Sequence, residues 1–236
     1  KSIIQASFID GLIAHRPKFR FLCLSHVKEL IQQNHDEFIS VSEHDAGIYS
    51  AGLNKRDCYN QIIFASIQSV WKKAMHLGVF DVCIIDECHL IPNKSQGMYR
   101  KLLDELARIN PRVKIIGMSA TPFRLSDGLL TEGDDKIFTD IAYEVSMLKL
   151  LEDGYLCPVV SKPTITKIDT SGVHKRGGEF ISSELQEAAD KDEVVEGAVR
   201  EMVQYGMDRR SWLVFCAGVK NAEHVRDIME SHGIDC

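Results

Sequence analysis

The chain contains 236 residues, with 28 Lys or Arg against 34 Asp or Glu, which gives a formal net charge of -6 at pH 7. Hydrophobic residues make up 44% of the sequence and charged residues 26%, as is ordinary for a globular protein in water. No apolar run approaches the roughly 18 residues that a membrane-spanning helix needs, and no segment resembles a signal peptide. We therefore expect a cytoplasmic chain without a membrane partner, whereas the net charge neither indicates nor excludes nucleic-acid binding.

The seven cysteines are scattered, and none has C-x-x-C spacing. An odd number in this arrangement argues against a disulfide framework and against a structural zinc site. Cys83, Cys88 and His89 are close in sequence, but Cys83 is expected inside a strand and the other two belong to a motif described below. We expect no metal site from these three residues.

The first part of the chain shows alternating helical and strand patterns. In chain order these predict a helix after Lys1, a strand at 19–24, a helix at 27–36, a short strand near Ile48, a strand at 62–65, a helix at 67–76, a strand at 82–85, a helix at 98–109 and a strand at 113–118. Short apolar strands alternating with helices are typical of a parallel sheet that is flanked by helices. The predicted class is therefore α/β.

The pattern changes after residue 150. An extended segment at 159–168 is interrupted by Pro163, a long helix is predicted at 184–205, and a strand at 212–216 begins a second unit. We therefore predict a first domain at 1–150. Residues 151–236 are predicted to hold a linker, an accessory segment and the beginning of a second domain.

Two adjacent carboxylates, Asp86 and Glu87, end the apolar strand at 82–85 and are followed by Cys88 and His89. Ligands of parallel sheets bind beyond the carboxyl ends of the strands. A pair of carboxylates there can serve a Mg²⁺-nucleotide site, one holding the metal and the other taking a proton from water. The plain alternative is that Asp86 and Glu87 only begin a loop.

The next predicted strand, 113–118, runs into Ser119, Ala120, Thr121 and Pro122. Pro122 biases the preceding residue away from helix, which indicates a defined turn. The hydroxyls of Ser119 and Thr121 are then expected close to the carboxylates that follow the neighbouring strand.

These two segments resemble motif II (DExH, here DECH at 86–89) and motif III (SAT at 119–121) of superfamily 2 helicases and translocases of the DEAD/DEAH type. Residues 24–30 (LSHVKEL) resemble motif Ia, 66–70 (SIQSV) motif Ib, and 212–216 (WLVFC) the strand that opens motif IV. The phrasing is most similar to the RadD-like branch of bacterial DNA-repair helicases. The resemblance implies a RecA-like sheet followed by the start of a second RecA-like domain.

Lys1 and Ser2 match the last two residues of a phosphate loop, G-x-x-x-x-G-K-[ST], in which Lys contacts the nucleotide phosphates and the hydroxyl holds Mg²⁺. The alternative is that they are ordinary helix residues. No glycine turn stands before Lys1, and no counterpart of motifs V and VI follows residue 216. We therefore expect the chain to be an enzyme that is truncated at both ends. It is expected to be inactive by itself, because motif VI carries the arginine finger that stabilises the transferred phosphoryl group.

The resemblance implies that ATP and Mg²⁺ are the cofactors. Asp86 would bind Mg²⁺ with Ser2, Glu87 would activate the attacking water, and His89 would link the γ-phosphate site to the second domain. Ser119 and Thr121 would couple the nucleotide state to the nucleic acid. The alternatives are that His89 only caps the turn and that the two hydroxyls only satisfy backbone groups.

Nucleic-acid contacts are expected from the segments that resemble motifs Ia and Ib. The candidate residues are His26, Lys28, Ser66 and Gln68. Polar contacts of this kind hold the phosphate backbone without reading its sequence. Lys28 and Gln68 are equally plausible as surface residues.

The resulting expectation is the core of an ATP-dependent helicase or translocase that acts on DNA. An RNA helicase or the translocating subunit of a restriction system would share all of these motifs. A scaffold that keeps the fold without hydrolysing ATP is the alternative from a different class, and the intact Asp86-Glu87 pair argues against it. The sequence does not predict the oligomeric state.

Overall fold

The computed structural model describes residues 1–91, 97–124, 128–133, 136–176 and 179–236. The chain divides into two compact units, Lys1–Glu144 and Val145–Cys236. The assignment of domains at 1–150 and 151–236 stays a prediction. Among the residues described, no helix has both the length and the apolar character needed to cross a membrane.

The first unit is built on a six-stranded sheet in the order β3-β2-β4-β1-β5-β6. The strands of the unit are β1 (Phe21–Ser25), β2 (Ala46–Ser50), β3 (Lys55–Arg56), β4 (Ile62–Ser66), β5 (Val82–Asp86), β6 (Lys114–Met118) and the antiparallel pair β7 (Phe123–Arg124) and β8 (Gly128–Leu129). Its helices are α1 (Ser2–His15), α2 (Lys28–Val41), α3 (Ile67–Val70), α4 (Ala74–Leu77) and α5 (Met98–Ile109). All pairs in the main sheet are parallel except β2 with β3, which confirms the predicted α/β class.

Every residue of β1, β4 and β5 is buried. Because consecutive side chains of a strand point to opposite sides of the sheet, these strands are covered on both faces. Leu22, Ile63 and Cys83 pack in a cluster with apolar residues of α3, α4 and α5. Phe21 and Phe64 pack in a second cluster with residues of α1 and α2. Two covered faces explain why these strands read as nearly continuous apolar runs.

The predicted helix at 67–76 is two short helices, α3 and α4. The turn between them contains Trp71, Lys72 and Lys73, and the Lys73 N–H donates to Val70 O at 2.8 Å. This bond reaches three residues back, so it closes a tighter turn than an α-helix does. Short 3-10 helices also follow β2 (Ala51–Leu53) and β5 (Cys88–Leu90).

The second unit contains α6 (Met147–Glu152), α7 (Ser182–Ala189), α8 (Asp192–Gly206), α9 (Val219–Ser231) and a small ladder of β9 (Lys175–Arg176) with β10 (Glu179–Phe180). Its core lies between α8 and α9, where Val195, Val199, Val225 and Met229 are buried. The predicted helix at 184–205 is interrupted at Asp190, whose carboxylate accepts a hydrogen bond from Asn221 Nδ2 at 3.2 Å.

The predicted strand at 212–216 has no ladder partner among the described residues of the second unit. A strand needs a hydrogen-bonded neighbour, so apolar alternation alone does not produce one. The extended segment at 159–168 also lies outside any ladder. It is held to α8 by Glu201, whose Oε1 accepts hydrogen bonds from Thr166 N at 2.7 Å and Thr166 Oγ1 at 2.6 Å.

Candidate functional site

The candidate site lies at the carboxyl end of β5, where Asp86 is the last residue of the strand. The Asp86 side chain is buried, with the residue 5% exposed. Its Oδ1 accepts a hydrogen bond from Glu87 N at 3.0 Å, and its Oδ2 accepts one from Asn34 Nδ2 at 3.4 Å. The carboxylate is therefore held in one orientation at the edge of the sheet.

Glu87 follows in the left-handed conformation, with φ 51° and ψ 48°. This conformation costs a residue with a side chain about 1 to 2 kcal/mol, and such strain is often retained at functional sites. The Glu87 carboxylate forms an ion pair with Lys1 Nζ through Oε1, and His89 Nδ1 lies 3.4 Å from Oε2. The turn thus brings the first residue of the chain and the DECH segment together.

Ser2 joins the same group through Asn34, a residue of α2. Ser2 Oγ donates to Asn34 Oδ1 at 2.7 Å, and the Asn34 amide nitrogen donates in turn to Asp86. Asn34, which is only 6% exposed, was not among the site residues predicted from the sequence. Its position between the buried Ile31 and Phe38 on one face of α2 was the available signal, because a polar side chain in an apolar stripe needs a buried polar partner.

Ser119 follows β6 and contacts the DECH segment directly. Its Oγ lies 2.8 Å from His89 Nδ1, donates to Thr121 O at 3.0 Å and accepts from Thr121 N at 3.0 Å. Because the hydroxyl proton points to Thr121 O and Nδ1 also faces the Glu87 carboxylate, we assign the Nδ1–H tautomer to His89. Thr121 takes part in these bonds through its backbone, and its residue is exposed.

The segments that resemble motifs Ia and Ib meet at the same edge of the sheet. Gln68 Nε2 donates to His26 O at 3.1 Å, and Ser66 Oγ donates to Ser69 Oγ at 2.6 Å. Lys28 is the first residue of α2 and is exposed, with its Nζ 3.6 Å from Glu29 Oε1. The structure therefore brings His26 and Gln68 into contact and leaves Lys28 on the surface.

Two buried side chains that pack in one cluster with Cys88, those of Cys83 and Tyr99, keep their protons at neutral pH. Burial raises the pKa of the Cys83 thiol to about 12, so this thiol does not supply a thiolate ligand at neutral pH. Burial, and after it the nearby Cys83, Asp86 and Cys88, raise the pKa of the Tyr99 hydroxyl. Tyr99 therefore stays neutral beside Asp86.

The oxygen atoms at this site suit a magnesium nucleotide better than a metal held by protein alone. In the part of the chain that the structure describes, no group of three or more His, Cys, Asp or Glu side chains is arranged to hold a metal ion. Mg²⁺ commonly takes one or two protein oxygens and completes its shell with phosphates and waters. Asp86 and Ser2, joined by Asn34, offer such a partial set, and Lys1 supplies a cation for phosphate.

Gly117 on β6 leaves room for the DECH turn. A Cβ at this position would lie 2.4 Å from Phe138 Cζ and 2.7 Å from Cys88 Sγ. We expect Gly117→Ala to destabilise the first unit by about 1 to 3 kcal/mol, the usual cost of overpacking a core. Urea unfolding measures the change. Gly11→Ala is the control, because a Cβ at Gly11 has no atom within 4 Å and should be neutral or stabilising. Equal stability of the two variants would contradict this packing.

The sequence matches the family "Type III restriction enzyme, res subunit" (ResIII) over residues 1–124. It is 25% identical over 162 residues to a "Type I restriction enzyme EcoAI endonuclease subunit" of Escherichia coli, a match of 62% of this chain and 19% of that protein. It is also 21% identical over 238 residues to "Putative ATP-dependent helicase IRC3" of Saccharomyces cerevisiae, a match of 98% of this chain and 32% of that protein.

A solved structure of the E. coli DExH-box NTPase HrpB has a similar fold, with a TM-score of 0.53 and 17% identity over 95% of this chain and 24% of that one. This likeness supports the predicted RecA-like fold. The chain spans 19% of the length of the E. coli relative and 32% of the length of the S. cerevisiae relative. The matches also support the resemblance to superfamily 2. Because the ResIII match covers more than half of the sequence, the chain belongs to the ResIII family.

Proposed function

We propose that the chain carries the ATP- and Mg²⁺-binding core of a superfamily 2 helicase or translocase that acts on DNA. The observation that carries the proposal is the meeting of four sequence segments at one edge of the sheet. Lys1 pairs with Glu87, Ser2 is joined to Asp86 through Asn34, and His89 contacts Ser119. Residues that have only a structural role do not require a cation, a hydroxyl and two carboxylates to converge in this way.

Lys1, Ser2 and Asp86 are the proposed nucleotide-binding residues. Lys1 would contact the β- and γ-phosphate oxygens, and Ser2 and Asp86 would hold the metal. Bound Mg²⁺ supplies neutralisation of the negative charge that develops on the phosphates. The hydrogen bonds of Asn34 keep Ser2 and Asp86 in place, so Asn34 is a positioning residue.

Glu87 is the proposed general base. Its ion pair with Lys1 and its approach to His89 orient the carboxylate at the edge of the sheet. A triphosphate offers Lys1 a partner of higher charge than a carboxylate, so nucleotide binding is expected to release Glu87 from this pair. The free carboxylate can then take a proton from the attacking water, a role that requires correct position before it requires basicity.

The contact of His89 with Ser119 is the proposed start of coupling between nucleotide and nucleic acid. Ser119 is bonded to the backbone of Thr121, so a displacement of His89 is passed to the segment after β6. The proposed nucleic-acid contacts are His26, Lys28, Ser66 and Gln68. The bond from Gln68 to His26 O joins two of these segments into one surface.

A restriction-system translocase is a second candidate within the same class, and two observations favour it. The family of this chain is named for type III restriction enzymes, and one relative is a type I restriction enzyme subunit. The RadD-like branch, a role in DNA repair and the DECH-type site rest on the resemblance alone, and the cytoplasmic location is an expectation from the sequence. They remain part of the proposal.

The test is ATP hydrolysis by a protein that joins this chain to a complete phosphate loop and a motif VI arginine. We expect Mg²⁺-dependent phosphate release that single-stranded DNA stimulates more than RNA of the same sequence. Stimulation by RNA alone would favour an RNA helicase, and no hydrolysis under any condition would favour a scaffold.

A further inference from the structure

A group of cations and aromatic rings lies on the first unit beside the proposed nucleic-acid contacts, and none of the roles above uses it. Its rings belong to Tyr49, near the end of β2, and Trp71, in the turn after α3. We call it the basic aromatic cluster, and it consists of Tyr49, Arg56, Trp71, Lys72, Lys73 and Lys101. The four cationic residues are all exposed.

Each ring of the basic aromatic cluster has two cations beside it. Lys72 Nζ lies 4.3 Å and Lys101 Nζ 5.5 Å from the centroid of the Trp71 ring. Lys73 Nζ lies 5.2 Å and Arg56 Cζ 5.6 Å from the centroid of the Tyr49 ring. Lys73 Nζ also donates to Tyr49 Oη at 2.9 Å. Cation–π contacts hold long side chains in place, so each ring keeps two positive charges beside it.

Throughout the described ranges, no ion pair joins any of the four cations to a carboxylate. The chain nevertheless carries an excess of acidic residues, with a net charge of -6. Neighbouring like charges repel each other, and a bound polyanion would remove that repulsion. The local charge therefore favours a partner with closely spaced negative groups.

The position of the basic aromatic cluster connects it to the proposed nucleic-acid contacts. Trp71 follows α3 directly, and α3 contains Gln68, which is bonded to His26 O. Ser69 Oγ, also on α3, accepts a hydrogen bond from Ala51 N at 2.8 Å. That bond ties α3 to the connection between β2 and β3, and β3 ends at Arg56. The cluster is thus continuous with the contacts at the ends of β1 and β4.

We propose that the basic aromatic cluster binds the phosphodiester backbone of a nucleic acid and extends the contact surface beyond Gln68. The inference rests on the proposed function, because it assigns further contacts to the same bound strand. Ammonium groups lie beside the Trp71 ring, so the ring anchors cations and the cluster binds phosphates without reading bases. Such contacts are independent of sequence, and their strength falls as salt rises.

The experiment measures binding of fluorescent single strands of DNA and of RNA, equal in sequence and length, to the 236-residue chain over a range of salt concentrations. The test variant is Lys72→Gln with Lys101→Gln. Removing one lysine that neutralises a phosphate of a single strand lowers the slope of log K against log salt by about 0.7, so this variant should show a slope smaller by about 1.4. Lys72→Arg with Lys101→Arg keeps both charges and should keep the slope.

The matched control is Lys18→Gln with Lys114→Gln, which removes two exposed charges near the starts of β1 and β6, at the opposite edge of the sheet. Its slope should equal that of the unmodified chain. The inference would be overturned if the unmodified chain binds normally and the Lys72 and Lys101 glutamine variant has an unchanged slope. That result would leave the proposed function standing. Failure of the unmodified chain to bind DNA or RNA would contradict both.

A polyglutamate competitor separates phosphodiesters from acidic protein segments. We expect it to displace the oligonucleotide much less effectively than unlabelled nucleic acid does at equal charge concentration. Equal displacement would assign the cluster to an acidic protein partner and overturn the inference. A comparison of the DNA and RNA strands then shows which sugar the surface accepts, since the shared phosphates alone do not distinguish them.

Discussion

Glu87→Gln is expected to abolish ATP hydrolysis while leaving ATP binding largely intact. Glutamine keeps the size and hydrogen-bonding capacity of glutamate but cannot accept a proton from water, so kcat should fall by about 10² to 10⁴. The change also removes the charge that pairs with Lys1, which frees Lys1 for phosphate and should not weaken nucleotide affinity. Phosphate release and binding of a fluorescent ATP analogue, in a protein with a complete phosphate loop and motif VI, measure the two effects.

The control for this variant is Glu144→Gln, an equal change at an exposed glutamate. Its turnover and nucleotide affinity should match those of the unmodified protein. A Glu87→Gln protein with impaired nucleotide affinity but a normal residual kcat would mean that Glu87 serves binding and is not the base.

Ser119→Ala with Thr121→Ala is expected to separate ATP hydrolysis from movement on nucleic acid. The Ser119 hydroxyl contacts His89 and the backbone of Thr121, so its removal deletes bonds worth about 0.5 to 1.5 kcal/mol each. Asp86 and Glu87 keep their own partners, and hydrolysis should continue. Unwinding of a partial duplex should fall by several fold in the same preparation.

The single variants assign this effect to one residue. Because the described bonds of Thr121 come from its backbone, Ser119→Ala alone should account for most of the decrease in unwinding. A proportional decrease of hydrolysis and unwinding would instead indicate that the segment after β6 supports chemistry or folding.

The local patterns were sufficient to predict the sheet and the position of Asp86. Strands buried on both faces leave nearly uninterrupted apolar runs, and polar residues that follow such runs lie at the carboxyl edge. The single break in the predicted helix at 67–76 was not visible, because it depends on a tight turn at Val70 and Lys73 and on the contact of Lys73 with Tyr49.

Asn34 was missed for a different reason. The apolar stripe of α2 indicates only that Asn34 has a buried polar partner. The partners themselves, Ser2 and Asp86, are far away in sequence, and no local pattern identifies them. The predicted strand at 212–216 was wrong because ladder formation depends on a neighbouring strand as well as on the apolar pattern. Thr121 forms its hydrogen bonds with Ser119 through backbone atoms, and the residue type alone does not predict such bonds.

A crystal structure with Mg²⁺ and a non-hydrolysable ATP analogue, determined for a protein that contains this chain and a complete phosphate loop, would show whether the edge of the sheet at Asp86 is a nucleotide site. We expect Lys1 Nζ to leave Glu87 and to contact the β- and γ-phosphates. We also expect Mg²⁺ beside Ser2 and Asp86, and Glu87 facing a water next to the γ-phosphate. A nucleotide bound elsewhere, with the Lys1 and Glu87 ion pair intact, would contradict the proposed function.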